Sequence, residues 1–251
     1  MIRCTALTLL CLFGAVAEMR PPAVPLVAHD PYFSIWSMAD HLNSDGTKHW
    51  TGKPNTLTAY ARIDGKSYRI MGRERQAGNE LAQTRLEVLP TRTIYEFAGA
   101  GAKVGLTFFT PALPDDLDVL SRPLTYLEWT AASGDGREHT VEIYFDAGGD
   151  LVVNTPDQPV LAARYQLDGF PLLRMGSREQ GVLAKRGDDL RIDWATSTWR
   201  PIGPRVSRTS QAIVRRREPR SMLRGNCRTP TSLGKCGVEG RCWPPRSCWA
   251  K

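Results

Sequence analysis

LTAYARIDGKSYRIM, residues 57–71, decides the fold class. Apolar side chains fall on alternate positions, at Leu57, Ala59, Ala61 and Ile63 and again at Tyr68 and Ile70. A period of two places one side of a segment in a core and the other toward water, which is the signature of a strand. Asp64-Gly65 stands between the two halves, a pair that accepts the positive φ angles of a tight two-residue loop. The stretch therefore predicts strands over 57–63 and 66–71, paired as a hairpin.

The same period recurs on either side of further turn signals. Strands are expected over 86–89, 93–97, 103–110, 124–130, 139–146, 151–154, 161–167 and 190–194, with turns at Gly99-Ala100-Gly101, Ser133 to Gly136 and Gly148-Gly149-Asp150. No window is helical over enough length to cross between parallel neighbours, so the expected class is all-β, an antiparallel β-sandwich. Phe108 and Phe109 fall together, as in a strand buried on both faces or one entering a bulge. Residues 19–54, rich in Pro, Asp and aromatics, show no clean period and are expected to wrap the sandwich as an irregular N-terminal arm. No internal repeat is present.

The chain has 251 residues and 41% apolar content, enough for one large sandwich. Arg3, the apolar run 5–17 and the small-x-small step Ala15-Val16-Ala17 before Glu18 read as an export signal over 1–17. That run is shorter than the roughly 20 apolar residues of a membrane span, so the expected place is secreted or periplasmic, with no membrane span. The division that follows is 18–72 for the arm and first hairpin, 73–199 for the sandwich and 200–251 for a tail. Charge divides the chain at the same place. Residues 1–199 hold 20 Lys and Arg against 24 Asp and Glu, net −4, whereas 200–251 hold 13 against 2, net +11. No cysteine lies between Glu18 and Trp199, so the sandwich is held by apolar burial rather than by disulfides.

Two histidines, two tryptophans and two carboxylates crowd HDPYFSIWSMAD, 29–40, and HWTGK, 49–53. The candidate ligand-binding residues are His29, Asp30, Tyr32, Trp36, Asp40, His49, Trp50 and Lys53. Rings stack on the apolar face of a sugar or amino-acid amide, and carboxylates accept its hydrogen bonds. The competing use of the same residues is packing, with Tyr32, Phe33, Ile35 and Trp36 anchoring the arm while His29 and Asp30 bond the turn begun by Pro31. No HxH or HExxH spacing points to a metal, and Asp115, Asp116 and Asp118 lack the order and closing Glu of a calcium loop. Asp188-Asp189 after Lys185-Arg186-Gly187 reads as a charged hairpin turn. Neither a nucleophile elbow nor a phosphate-cradling glycine loop occurs, and no catalytic residue is assigned.

Four blocks in order carry a resemblance: RPPAVPLVAHDPYFSIWSMADHL, HWTGKPNTLTAYARIDGKSYRIMG, LTFFTPALPDDLDVLSRPLTYLEW and LAKRGDDLRIDW. Together, from about Arg20 to Trp194, they resemble the N-terminal part of the glutaminase A family. The resemblance implies an exported enzyme that hydrolyses L-glutamine to L-glutamate and ammonia without a cofactor. It also implies a β-sandwich followed by a helical toroid like those of glycoside hydrolases, with the catalytic acids in the toroid. On that reading the present chain is truncated before its helical partner domain and is inactive alone. The alternative is a free-standing carbohydrate-binding module that stacks sugars on Trp36, Trp50 and Tyr32.

The tail, 200–251, contains 11 Arg, six Pro and four Cys but no Phe, Tyr or Asp. Few apolar residues are available there to offset the entropy of ordering, so disorder is expected. The composition also fits a GC-rich gene read out of frame. Arg-rich composition in an exported chain does not define a nucleic-acid partner, and the spacings of Cys227, Cys236, Cys242 and Cys248 fit no zinc module.

Overall fold

A computed structural model describes residues 20–73 and 78–200 and the backbone of 212–216. The expected export signal, and the tail apart from Arg200 and 212–216, lie outside the described residues.

The fold is all-β and sandwich-like. Its strands are β1 (Val24–Asp30), β2 (Phe33–Ser37), β3 (Leu57–Ile63), β4 (Lys66–Met71), β5 (Ala82–Leu89), β6 (Arg92–Gly99) and β7 (Ala102–Phe109). There follow α1 (Leu117–Leu120), β8 (Tyr126–Ser133), β9 (His139–Ala147), a 3-10 turn (Gly149–Val152), β10 (Val160–Leu167), β11 (Phe170–Ser177), β12 (Thr196–Trp199) and β13 (Ala212–Arg216).

The opening hairpin forms as its sequence predicts. Ile63 faces Lys66 across a loop in which Asp64 and Gly65 take φ of 47° and 85°. Along β3 the side chains alternate between buried and half-buried. β9 adds antiparallel to β3 and β13 adds parallel to β9, giving the sheet order β13-β9-β3-β4. The second large sheet is a meander, β5-β6-β7-β8. Leu57, Ile63 and Val141 from the first sheet share one buried cluster with Phe97, Leu106 and Phe108 from the second. Each such side chain contributes roughly 1.5–3 kcal/mol by leaving water. Trp129 of β8 meets Phe145 of β9 edge-on at 6.5 Å, and Trp199 of β12 leans on the same ring at 5.1 Å.

Several expectations are corrected by tertiary contacts. The Phe108–Phe109 pair marks neither a bulge nor a doubly buried strand, because β7 pairs in unbroken register on both sides. Phe108 enters the core, while Phe109 stacks on Tyr126 under the guanidinium of Arg92. Residues 151–154 do not form a strand: Leu151 and Val152 lie in the 3-10 turn, and Leu151, Val152 and Val153 are buried in succession. Segment 190–194 forms no strand either. It buries Arg191 and Asp193 and leaves Leu190, Ile192 and Trp194 half-exposed, the reverse of its apolar pattern. The residues from Lys185 to Asp189 are loop rather than hairpin, with Asp189 ion-paired to Lys53. The arm begins with the β1–β2 hairpin and is irregular from 38 to 56 apart from single bridges at Lys48 and Pro54. In the acidic connection, Asp116 caps the short α1 by accepting from the Val119 N–H at 3.0 Å.

Candidate functional site

The β1–β2 turn organises the one place where most of the candidate residues converge. Asp30 Oδ1 accepts from the Tyr32 N–H at 2.7 Å, which tightens the turn around Pro31. The Pro31 carbonyl then receives two side chains, Trp50 Nε1 at 2.8 Å and His49 Nε2 at 3.2 Å. A carbonyl only accepts, so the His49 proton sits on Nε2, and Nδ1 is left to accept from the Thr51 hydroxyl at 2.9 Å. His49 is fully buried; burial pushes its pKa down, the bond to the Pro31 carbonyl opposes that shift, and the charge of Arg191 adds to it. It is a neutral, doubly bonded structural imidazole.

Around this turn the aromatics open to solvent. Trp50 is 52% exposed and Tyr32 37%, and Tyr32 meets Trp194 edge-on at 5.3 Å. The Tyr32 carbonyl accepts from the Ile192 N–H at 2.9 Å, and Lys53 pairs with Asp189, so the arm is bound to the 185–194 segment by backbone and charge together. Lys53, first of all, holds the Asp189 carboxyl below its usual range. His29 lies flat on Phe33 with centroids 5.5 Å apart; burial lowers its pKa, and the charge of Asp30 opposes that shift.

Trp36 and Asp40 are held by partners other than the Pro31 turn. Trp36 is fixed by backbone bonds to Lys48 at 2.7 and 2.9 Å. Asp40 pairs with Arg20 at 3.3 Å and lines an open cleft of about 630 Å³ with His41, Asp45 and Arg73.

The residues that hold the rim in place are ones the sequence reading passed over. Arg191, 4% exposed, donates from Nη1 to the Pro54 carbonyl at 2.8 Å and from Nη2 to the Asn154 carbonyl at 2.6 Å. Its own N–H donates to Asn154 Oδ1 at 2.9 Å. Gln158 bridges onward, donating to Asp193 Oδ2 at 2.7 Å and accepting from the Asn154 N–H at 2.6 Å. Asn55 donates to the Ser34 carbonyl at 2.8 Å and so ties this polar knot to β2. The available signal was the placing of Arg191 and Asp193 between Leu190, Ile192 and Trp194, since charges alternating with apolar residues identify two faces without saying which is buried.

Chemically, the rim can stack a flat or apolar ligand face on Trp50 and Tyr32 and offer polar contacts from Lys53 and Asp189. Its carboxylates are otherwise committed, Asp30 to the turn, Asp189 to Lys53 and Asp193 to Gln158. The fold and this site together define an all-β region whose polar groups mostly hold loops against one another.

Comparison with known proteins agrees with that class. A family profile described as "Domain of unknown function (DUF5127)" matches residues 91–217, half of the chain, and the chain belongs to that family. A second profile, "Domain of unknown function (DUF4964)", matches residues 5–81. Glutaminase A of Aspergillus oryzae (strain ATCC 42149 / RIB 40) is 28% identical over 139 residues, 52% of this chain and 20% of that protein. The chain thus matches about one fifth of the length of that curated relative, and the likeness is to a distantly glutaminase-related N-terminal region. The candidate rim lies where the two matched regions touch, with His49, Trp50 and Lys53 in the first and Asp189, Arg191 and Trp194 in the second. The larger match runs past Trp194 and takes in β13.

Proposed function

We propose that this chain is the N-terminal, non-catalytic β-part of an exported glutaminase-like amidohydrolase, of the kind that converts L-glutamine to L-glutamate and ammonia, and that it does not catalyse that reaction alone. The observation that carries this reading is the confinement of the likeness to one fifth of Glutaminase A. The rim agrees with it, because His49 and the rim carboxylates are bonded to their own loops and are not poised for proton transfer. Arg3 and the apolar run at 5–17 support the export part of this reading, with a secreted or periplasmic chain as its expected form. In a longer enzyme the exposed faces of Tyr32 and Trp50 would edge the substrate pocket, whose catalytic acids lie in the part that this region does not match. Purified chain, freed of its leader and incubated with glutamine, is expected to release ammonia no faster than a blank; sustained turnover overturns the proposal.

A second reading rests on Trp50, half-exposed beside Tyr32. Such rings suit the apolar face of a sugar, and the chain would then be a carbohydrate-binding module. Titration with oligosaccharides, followed by tryptophan fluorescence, tests it: saturable binding that Trp50→Ala abolishes supports the module, and a flat titration removes it.

A further inference from the structure

β10 forms one edge of the β10-β11-β12 sheet, and every residue from Leu161 to Leu167 is exposed. Natural sheets blunt such edges with proline, bulges, inward charges or a covering segment. Among the described residues β10 shows no proline, bulge or covering segment, and its one charge, Arg164, falls on the face shared with Met175 and Trp199 while remaining exposed itself. VLAARYQL contains no proline, its pairing with β11 runs unbroken from Val160↔Ser177 to Leu167↔Phe170, and Arg164 is its single charge.

The turn after β10 sets which backbone groups point outward. Asp168 and Gly169 have φ of 49° and 78°, a two-residue loop whose flanking pair, Leu167 and Phe170, exchanges both hydrogen bonds. Counting back by twos, Tyr165, Ala163 and Leu161 direct their N–H and C=O groups to β11. Gln166, Arg164, Ala162 and Val160 direct theirs to the open edge. The side chains sort by the same alternation. Tyr165 and Leu167, 48% and 60% exposed, share the outer face with Leu172, while Met175 and Trp199 pack from the other face onto the core.

We propose that two copies of this chain associate edge to edge through β10, antiparallel about a two-fold axis at Ala163, forming one continuous six-stranded sheet. Hydrogen-bonded pairs across the axis can use only the outward-directed residues, so the axis must pass through a residue. Axes at Ala163 and at Arg164 pair the greatest length of strand. The axis at Arg164 sets two guanidinium groups directly opposite one another, which is unfavourable. The axis at Ala163 sets Arg164 opposite Ala162, pairs Val160 with Gln166, and lays Leu161 across Tyr165 of the second copy on the outer face. Charge thus selects one register, and that register is apolar where the side chains meet. An interface of this extent belongs with those below about 1,200 Å², which form weak, concentration-dependent complexes. This surface lies apart from the Tyr32–Trp50 rim, and the proposal does not depend on the function proposed for that rim.

Sedimentation velocity of the full chain in reductant, across a concentration series, is the test. The weight-average mass is expected to climb toward twice the monomer value. Ala162→Pro removes an outward N–H but no bond to β11, and is expected to keep the chain monomeric with an unchanged melting curve. If that variant does not fold, Tyr165→Lys on the exposed outer face is expected to weaken association at least ten-fold. Ala163→Cys, oxidised, is expected to give a covalent dimer whose peptide map joins the two substituted positions. A chain that stays monomeric throughout, or a dimer that survives Ala162→Pro or, where that does not fold, is not weakened by Tyr165→Lys, overturns the proposal.

Discussion

His139 Nδ1 lies 2.6 Å from Asp64 Oδ2, so the first residue of β9 is bonded to the turn of the β3–β4 hairpin. The other ring nitrogen lies 2.9 Å from Asp135 Oδ1, in the loop that leads into β9. Ionised carboxylates only accept, so an imidazole that meets two of them donates from both nitrogens and carries a positive charge. Asp64 first and Asp135 second raise the His139 pKa. In return His139 lowers that of Asp64, while the Arg137 N–H, ahead of His139, brings Asp135 down to about 2.

This clip makes stability depend on pH with a defined sign. The raised imidazole contributes stability that is whole below its ordinary 6.5 and is lost as pH rises through the folded value. The lowered carboxyls contribute stability that is whole above their ordinary 3.8 and is lost as pH falls toward the folded values. The difference in Tm between the native chain and His139→Gln is therefore expected to peak between these two values and to shrink on either side. A difference that does not vary with pH refutes the clip.

Arg191 binds the loops on both sides of the candidate rim, so replacing it should cost far more than its charge alone suggests. Arg191→Met takes this donor from the buried Asn154 carbonyl and from the part-buried Pro54 carbonyl. The expected loss is about 2 kcal/mol, most of it from the one buried acceptor left unpaired at roughly 1–3 kcal/mol. Urea unfolding should show a lower midpoint at unchanged slope, and a loss well under 1 kcal/mol would mean that the knot does not hold the junction.

Thr47 offers a cleaner test of a single hydroxyl. It donates to the Asn55 carbonyl at 2.6 Å and accepts from the Leu57 N–H at 2.7 Å, and it is buried. Thr47→Val keeps the shape and removes both bonds, with an expected cost of about 2 kcal/mol, whereas Thr47→Ser keeps the hydroxyl and should cost about half as much. Equal costs for the two variants would place the effect in packing instead.

Lys53 and Asp189 form the exposed counterpart of the Arg191 knot. Water and salt screen such a pair, so Lys53→Ala is expected to change stability only marginally, and the change should vanish in molar salt. A larger loss that salt does not reduce would show the Lys53 stem packing rather than pairing.

The hairpin 57–71 was legible residue by residue, because alternation and an Asp-Gly loop are local facts that each specify one geometry. The same reasoning placed β6, β7, β9 and β10 within a residue or two. It passed over β11, although Asp168-Gly169 repeats the signal of Asp64-Gly65 and closes the β10–β11 hairpin with the same positive φ angles. β1 and β2 left no period to read, since Val24, Leu26 and Val27 are buried around Pro25, with register shifts along the pair.

By itself the sequence determined that this chain is built mostly of antiparallel strands and that its aromatic and charged side chains crowd into two short stretches, because period and turn chemistry act within a few residues. Only the tertiary structure decided which of those residues meet. Tyr32 and Lys53 meet Trp194 and Asp189, Trp50 joins them only through the Pro31 carbonyl, Asp40 pairs with Arg20 instead, and Arg191 goes inside while Ile192 stays half in water. Alternation divides a segment into two faces with equal force whichever one turns inward. The choice belongs to the buried carbonyl of Asn154, which needs a donor once the loops have closed over it.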